Sequence, residues 1–180
     1  MQKLSMDELN RLTVDEFQLQ QKHPIAIILD NVRSALNVGS AFRTADAFAL
    51  QSLALCGITA QPPHREILKT ALGATESVAW AYFETTQAAL DAYKAQNYLL
   101  IGIEQTAGSV SLSEFKSQLL SRLNLEKMPP IALIFGNEVE GVAQEVLNQC
   151  DYAIEIPQFG TKHSLNVSVC VGIVAWEMVR

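Results

Sequence analysis

Alternation of short apolar runs with helix-patterned segments predicts an α/β fold with a mostly parallel sheet. Runs of strand length recur along the chain, and each is followed by a longer amphipathic stretch. Apolar residues make up 49% and charged residues 18%, the balance of a chain that can bury a core. No linker, repeat or low-complexity stretch interrupts the 180 residues, so one domain is expected.

The elements follow in order. Residues 5–22 read as helix, and residues 1–23 as a short N-terminal helical extension. Ser5-Met6-Asp7-Glu8 and Thr13-Val14-Asp15-Glu16 both fit capping boxes, so this stretch can also be two short helices. Leu4, Leu9, Leu12, Val14, Phe17 and Leu19 give it a partly apolar face to pack on the domain or on a partner subunit. Residues 24–30 carry a buried-strand pattern, 37–47 a helix, and 51–56 a second strand stopped by Gly57. Pro62-Pro63 marks a loop. Residues 64–83 look irregular, with a short helix near 67–72. Residues 86–96 read as helix and 98–103 as strand. Ser111-Leu112-Ser113-Glu114 caps a helix running to 123. A strand over 131–135, a helix over 143–149 and a strand over 152–156 follow. The last helix, 164–179, is apolar on nearly all sides and is expected in a core or an interface.

Composition excludes several classes. No apolar run is long enough to span a membrane. The first residues are polar and acidic with no signal-peptide core, so a cytoplasmic protein is expected. Cys56, Cys150 and Cys170 stand in apolar surroundings without CxxC spacing, which argues for buried free thiols rather than zinc or disulfides. Asn166-Val167-Ser168 matches a glycosylation acceptor only formally. The net charge of −6 counts against a nucleic-acid partner. Its distribution softens that. Lys22, Arg33, Arg43, Arg65 and Lys69 face only Asp30, Asp46 and Glu66 over residues 22–69, a net +2 that leaves −8 for the rest.

Chemistry concentrates in two segments of the last quarter. Ile134-Phe135-Gly136-Asn137-Glu138-Val139-Glu140-Gly141 and Ile156-Pro157-Gln158-Phe159-Gly160-Thr161-Lys162-His163-Ser164-Leu165-Asn166-Val167-Ser168 each pass from an apolar run into a Gly-rich polar loop. Strand, loop, helix is how open α/β sheets build ligand sites at their strands' carboxyl ends. Two such loops so near each other imply one shared pocket. No GxGxxG follows a strand. Val142-Ala143 stands where a P-loop would have Lys-Ser/Thr, and no HExxH or Cys/His pairing calls for a metal. A plainer reading stays open for each loop. Asn137 with its acids can be a helix start, and Ser164 an N-cap, although Asn166 would then be a polar amide in the first helical turn.

The spelling of these loops resembles the second and third signature motifs of the SpoU (TrmH-like) RNA 2'-O-ribose methyltransferases. A first motif, Asn37-Val38-Gly39-Ser40-Ala41-Phe42-Arg43-Thr44, precedes them in that family's order, and the resemblance covers roughly residues 24–180. It implies a SPOUT fold with a C-terminal trefoil knot, which periodicity does not show. It implies S-adenosylmethionine (AdoMet) as cofactor, held through the backbone at Gly136, Ile156 and Leu165. It implies catalytic or substrate-positioning roles for Asn37, Arg43, Glu138, Ser164 and Asn166. It implies a tRNA or rRNA substrate and a homodimer that completes the site.

Beside it, Arg43 reads from the sequence as a salt bridge to Asp46 or Asp30. Lys162 and His163 meet RNA phosphate or are simply solvated. Guanidinium is not readily deprotonated, so an Arg43 in catalysis is expected to stabilise the forming 2'-alkoxide and fix a phosphate. The proton then goes to that phosphate, to Glu138 or to water. The rival readings are a non-catalytic RNA- or nucleotide-binding module and a small-molecule enzyme, the latter favoured by the negative charge.

Overall fold

The computed structural model describes residue 1, residues 3–5 and residues 7–180; Gln2 and Met6, and with Met6 part of the first capping-box pattern, lie outside the described residues. A 3-10 turn at Asp7–Leu9 and helix α1 (Val14–Leu19) precede the sheet. The remaining elements are β1 (His23–Asp30), α2 (Ala35–Ala47), β2 (Leu50–Cys56), α3 (Arg65–Ala71), α4 (Ala74–Ser77), β3 (Trp80–Phe83), α5 (Thr86–Ala95) and β4 (Leu99–Ile103). After them come β5 (Val110–Ser111), α6 (Leu112–Leu123), β6 (Ile131–Phe135), α7 (Gln144–Leu147), β7 (Tyr152–Glu155) and α8 (Val167–Val179).

Seven parallel strands run in the order β3-β2-β1-β6-β4-β7-β5. Both faces are covered, so the central strands are near-continuous in Ile, Leu and Ala rather than alternating. Ile25, Ile27 and Leu29 of β1 and Leu133 and Phe135 of β6 point into one core with α2, α6 and α8. Ala26, Ile28, Ala132 and Ile134 point the other way, against Ala89, Leu90 and Tyr93 of α5 and Val146 of α7. The carboxyl ends of β6, β4 and β7 lie side by side, which brings the two Gly-rich loops together.

The expected α/β class and parallel sheet are present, and several elements differ in detail. The helix over 5–22 is a turn and one short helix. Ser5 and Glu8 do exchange cap bonds, but Asn10 at φ 45° breaks the chain before a helix can grow. The second capping box forms, with Thr13 N–H donating to Glu16 at 2.8 Å and Glu16 N–H to Thr13 Oγ1 at 3.3 Å. Residues 64–83 are not irregular. They hold α3, α4 and β3, the last an edge strand exposed enough to blur its apolar pattern. Ser111 precedes α6 but gives it no side-chain cap. Cys56 is buried, with its thiol pushed up to about 12 by desolvation, whereas Cys150 and Cys170 are only half-buried.

The last helix is corrected in two ways. It begins at Val167, not at residue 164, and Asn166 is its N-cap rather than a member of its first turn. Its side-chain Oδ1 accepts from Ser168 N–H at 2.9 Å, satisfying one of the amides a helix start leaves open. Nor is α8 buried all round. Val171, Val174, Ala175 and Met178 enter the core, while Val169, Ile173 and Trp176 are 48%, 38% and 56% exposed.

Candidate active site

A cleft of about 480 Å³ opens at the carboxyl ends of β4, β6 and β7. Gly136, Ile156, Ser164, Leu165 and Asn166 all line it, together with Glu104, Glu138 and Glu140. Its volume lies within the range that encloses a cofactor-sized ligand.

The loop after β6 is a tight backbone hairpin, not a helix start. Asn137 and Gly141 exchange two N–H···O bonds of 2.9 Å each, with Gly141 at φ +71°. Asn137 closes the hairpin from inside: its Oδ1 accepts from Val139 N–H at 2.8 Å and its Nδ2 donates to Asn31 O at 2.9 Å. A Cβ at Gly136 would meet Gly141 C at 2.0 Å and Val142 N at 2.1 Å, so only glycine lets the two backbone segments lie this close.

Glu138 reaches across to the start of α2. Its carboxylate accepts from Arg33 N–H at 2.8 Å, Ser34 N–H at 2.9 Å and Asn37 Nδ2 at 2.9 Å. Partial burial pushes its pKa up, but the Arg33 and Ser34 amides and then Asn37 outweigh that, and the net position is below the usual Glu value. A carboxylate so engaged is a poor proton acceptor. Its work is to hold Asn37. Asn37 Oδ1 in turn accepts from Asn166 Nδ2 at 3.2 Å. Asn166 Oδ1 also takes the Ser168 hydroxyl at 2.7 Å. Residues from all three motifs thus form one hydrogen-bonded chain, Glu138–Asn37–Asn166–Ser168.

Arg43 is outside that chain. It is exposed in a separate groove of about 470 Å³ with Ser40, Thr44, Lys69, Thr70 and Gly172. The salt bridge to Asp46 or Asp30 expected as the plain alternative does not form: among the described residues the only salt bridge joins Arg180 and Glu177. Asp46 is taken by the Ser77 hydroxyl at 2.5 Å, and Asp30 by Thr86 and Asn31. Lys162 and His163 sit on the exposed loop before α8.

Sequence reasoning missed Glu104. Its carboxylate accepts from Val142 N–H and Gln105 N–H at 3.0 Å each, tying β4 to the β6 loop. Gln105 Nε2 donates to His163 O at 3.1 Å and so ties β4 to the second loop. The available signal was an acid directly after a buried strand, at the end of the sheet where α/β ligand sites form. The plainer alternative for Asn137, an N-cap, does not hold, because its side chain closes the hairpin instead.

The model of the SpoU rRNA Methylase family matches residues 24–176. The chain belongs to this family. The SpoU chain is 31% identical over 174 residues to a 23S rRNA (guanosine-2'-O-)-methyltransferase RlmB from Haemophilus influenzae, covering 96% of this chain and 66% of that protein. It thus spans just under two thirds of the length of such relatives. Among solved structures it resembles an AdoMet-bound rRNA methyltransferase from Sinorhizobium meliloti at 27% identity and TM-score 0.75, over 88% of this chain and 56% of that one. It also resembles a TrmH/SpoU tRNA modifying enzyme from A. aeolicus at 25% identity and TM-score 0.74, over 90% and 76% of the two chains. No helix among the described residues is long and apolar enough to cross a membrane.

Proposed function

We propose that this SpoU chain is an AdoMet-dependent RNA 2'-O-ribose methyltransferase, acting on tRNA or rRNA in the cytoplasm as a homodimer. The observation that carries it is that the second and third motifs line one cleft, with Asn37 of the first motif hydrogen-bonded to Glu138 and Asn166 of that lining. Residues 24–180 form the methyltransferase domain, and residues 1–23 a short helical extension. We include the family's C-terminal trefoil knot. In its favour, β6 and β7 are inserted between earlier strands, and the loops after them are tied to one another through Glu104 and Gln105.

The cleft suits AdoMet by two observations. Gly136, packed against the hairpin backbone, lines it beside Ile156 and Leu165, and main-chain groups at these three would meet the cofactor's many donors and acceptors. The carboxylates of Glu104, Glu138, Glu140 and Glu155 line it, with His163 the only potential cation among the lining side chains, a field that favours a sulfonium over an anionic ligand. Bound there, AdoMet supplies an electrophilic methyl group.

The chain's own residues position the other reactant. The ribose 2'-oxygen would take that methyl group, with the electron pair of the broken carbon–sulfur bond left on sulfur. The 2'-hydroxyl proton leaves to a phosphate oxygen or to water, since the Glu138 carboxylate already accepts three bonds. Ser164 and Asn166 orient the ribose at the cleft's edge. Arg43 stabilises the developing alkoxide and fixes a phosphate as an undeprotonated cation.

In one copy Arg43 faces its own groove rather than the cleft. Helix α8 contributes Val167 and Cys170 to the cleft and Gly172 to the groove, and carries the exposed apolar row Val169, Ile173 and Trp176. A two-fold interface through that row would cover it and bring one subunit's Arg43 toward the partner subunit's cleft.

Incubation of labelled AdoMet with total RNA and, separately, with free nucleosides tests the proposal. Label on RNA alone supports it. Label on nucleosides marks a small-molecule enzyme, and AdoMet or RNA binding without transfer marks a binding module.

A further inference from the structure

We infer that Lys69 is a second phosphate ligand of the RNA substrate, paired with Arg43 in the α2–α3–α8 groove. The inference rests on the methyltransferase reading and adds to it a residue outside the three motifs.

The groove is lined by Ser40, Arg43, Thr44, Lys69, Thr70 and Gly172 among others, and none of its lining residues is acidic. Both cations are exposed and have no salt-bridge partner among the described residues. The acids nearest in sequence are accounted for. Asp46 is held by Ser77 on the α4 side, and Glu66, an exposed residue in the first turn of α3, has no place in the groove's lining. Thr44 lines the groove with the two cations and offers a hydroxyl donor, as suits a phosphate with several acceptor oxygens, while the Ser40 hydroxyl donates to Leu36 O at 3.0 Å. Gly172 leaves the α8 wall open: a Cβ there would meet nothing within 4 Å.

The placement of Lys69 is enforced rather than incidental. α2 and α3 meet at Gly39, where a Cβ would fall 2.1 Å from Thr70 Oγ1 and 2.4 Å from Ile67 O. Thr70 Oγ1 donates to Leu36 O at 3.0 Å and locks the crossing. Lys69 is the residue next to that lock, and Arg43 lies one turn after Gly39. Two helices are thus packed to backbone contact at the point that holds two unpaired cations over one groove. Of the +2 stretch noted in the sequence, Lys22 is spent on the Phe17 ring and carbonyl.

Fluorescein-labelled bulk tRNA and rRNA fragments, titrated against the full chain at several salt concentrations, test this. Lys69→Ala should weaken RNA binding severalfold and lower the log–log salt slope by about 1, as loss of one phosphate contact requires. Lys69→Arg should restore both. Lys69→Ala should also raise KM for RNA more than it lowers kcat, with AdoMet affinity and thermal midpoint unchanged. A Lys69→Ala protein with wild-type salt slope and KM would overturn the inference. So would one whose dimer dissociates more readily while RNA affinity holds, since Lys69 would then serve a partner subunit's carboxylate. Wild-type protein that neither binds AdoMet nor methylates RNA would instead sink the methyltransferase reading itself.

Discussion

At the scale of the residue, Glu138 and Arg43 divide the work, and each division can be checked. Glu138 accepts three hydrogen bonds, and its pKa lies below the usual Glu value. Because the folded carboxyl titrates below its unfolded value, its contribution is complete above the ordinary Glu range. That contribution is lost as pH falls through the lowered value. The rate of the chemical step should therefore show no Glu138 titration between neutral and alkaline pH. A carboxylate-like step near neutrality, absent in Glu138→Gln, would make Glu138 the base after all. Glu138→Ala should lose activity together with some thermal stability, since the Arg33 and Ser34 amides lose a charged acceptor and exchange it for water. For Arg43, an exposed cation with no salt bridge, Arg43→Ala should abolish transfer while AdoMet affinity stays nearly unchanged. Loss of a charged transition-state contact costs on the order of 3 kcal/mol, about 10²-fold in rate. Arg43→Lys should be poor at every pH. A single-turnover profile in which it matches wild type at high pH would assign the proton to Arg43. The sequence made Glu138 and Asn37 legible through their motifs, but not their bond. A contact between residues 101 positions apart is set by packing, not by local pattern.

At the scale of the element, glycines and helix faces decide. A methyl at Gly136 must displace the backbone of Gly141 and Val142, not a flexible side chain. Gly136→Ala should cost about 1–3 kcal/mol of strain and reduce AdoMet affinity, measurable by calorimetry. An unchanged affinity would place the cofactor elsewhere. α8 was legible as apolar on all sides, yet its face toward solvent cannot be told from its face toward the core by hydropathy alone. The structure divides them, with Trp176 resting edge-tilted on Phe48 at 5.9 Å and still 56% exposed. Trp176→Glu should yield monomers or aggregates in sedimentation and lower activity. A wild-type monomer at micromolar concentration would refute the interface and leave Arg43 without a cleft. The start of α8 was misplaced because Ser164 and Asn166 are both good caps, and only the backbone chooses between them.

At the scale of the whole molecule, the parallel sheet was legible because its central strands are continuous apolar runs between helical segments. The strand order was not. β6 pairs with β1 and β4, and β7 with β4 and β5, and no rule of periodicity places late strands between early ones. That insertion is what brings the β4, β6 and β7 loops to one cleft. The fold and the family now stand on the sheet and the family match over residues 24–176, so the central claim left to test is the chemistry. A methylated 2'-oxygen cannot attack its neighbouring phosphate, so alkali leaves that linkage uncut. Purified protein should be incubated with RNA and methyl-labelled AdoMet, and the RNA then digested with alkali. Label recovered in alkali-stable dinucleotides, and lost with Arg43→Ala, is the result this account predicts. Label in mononucleotides, or none in RNA at all, would contradict it.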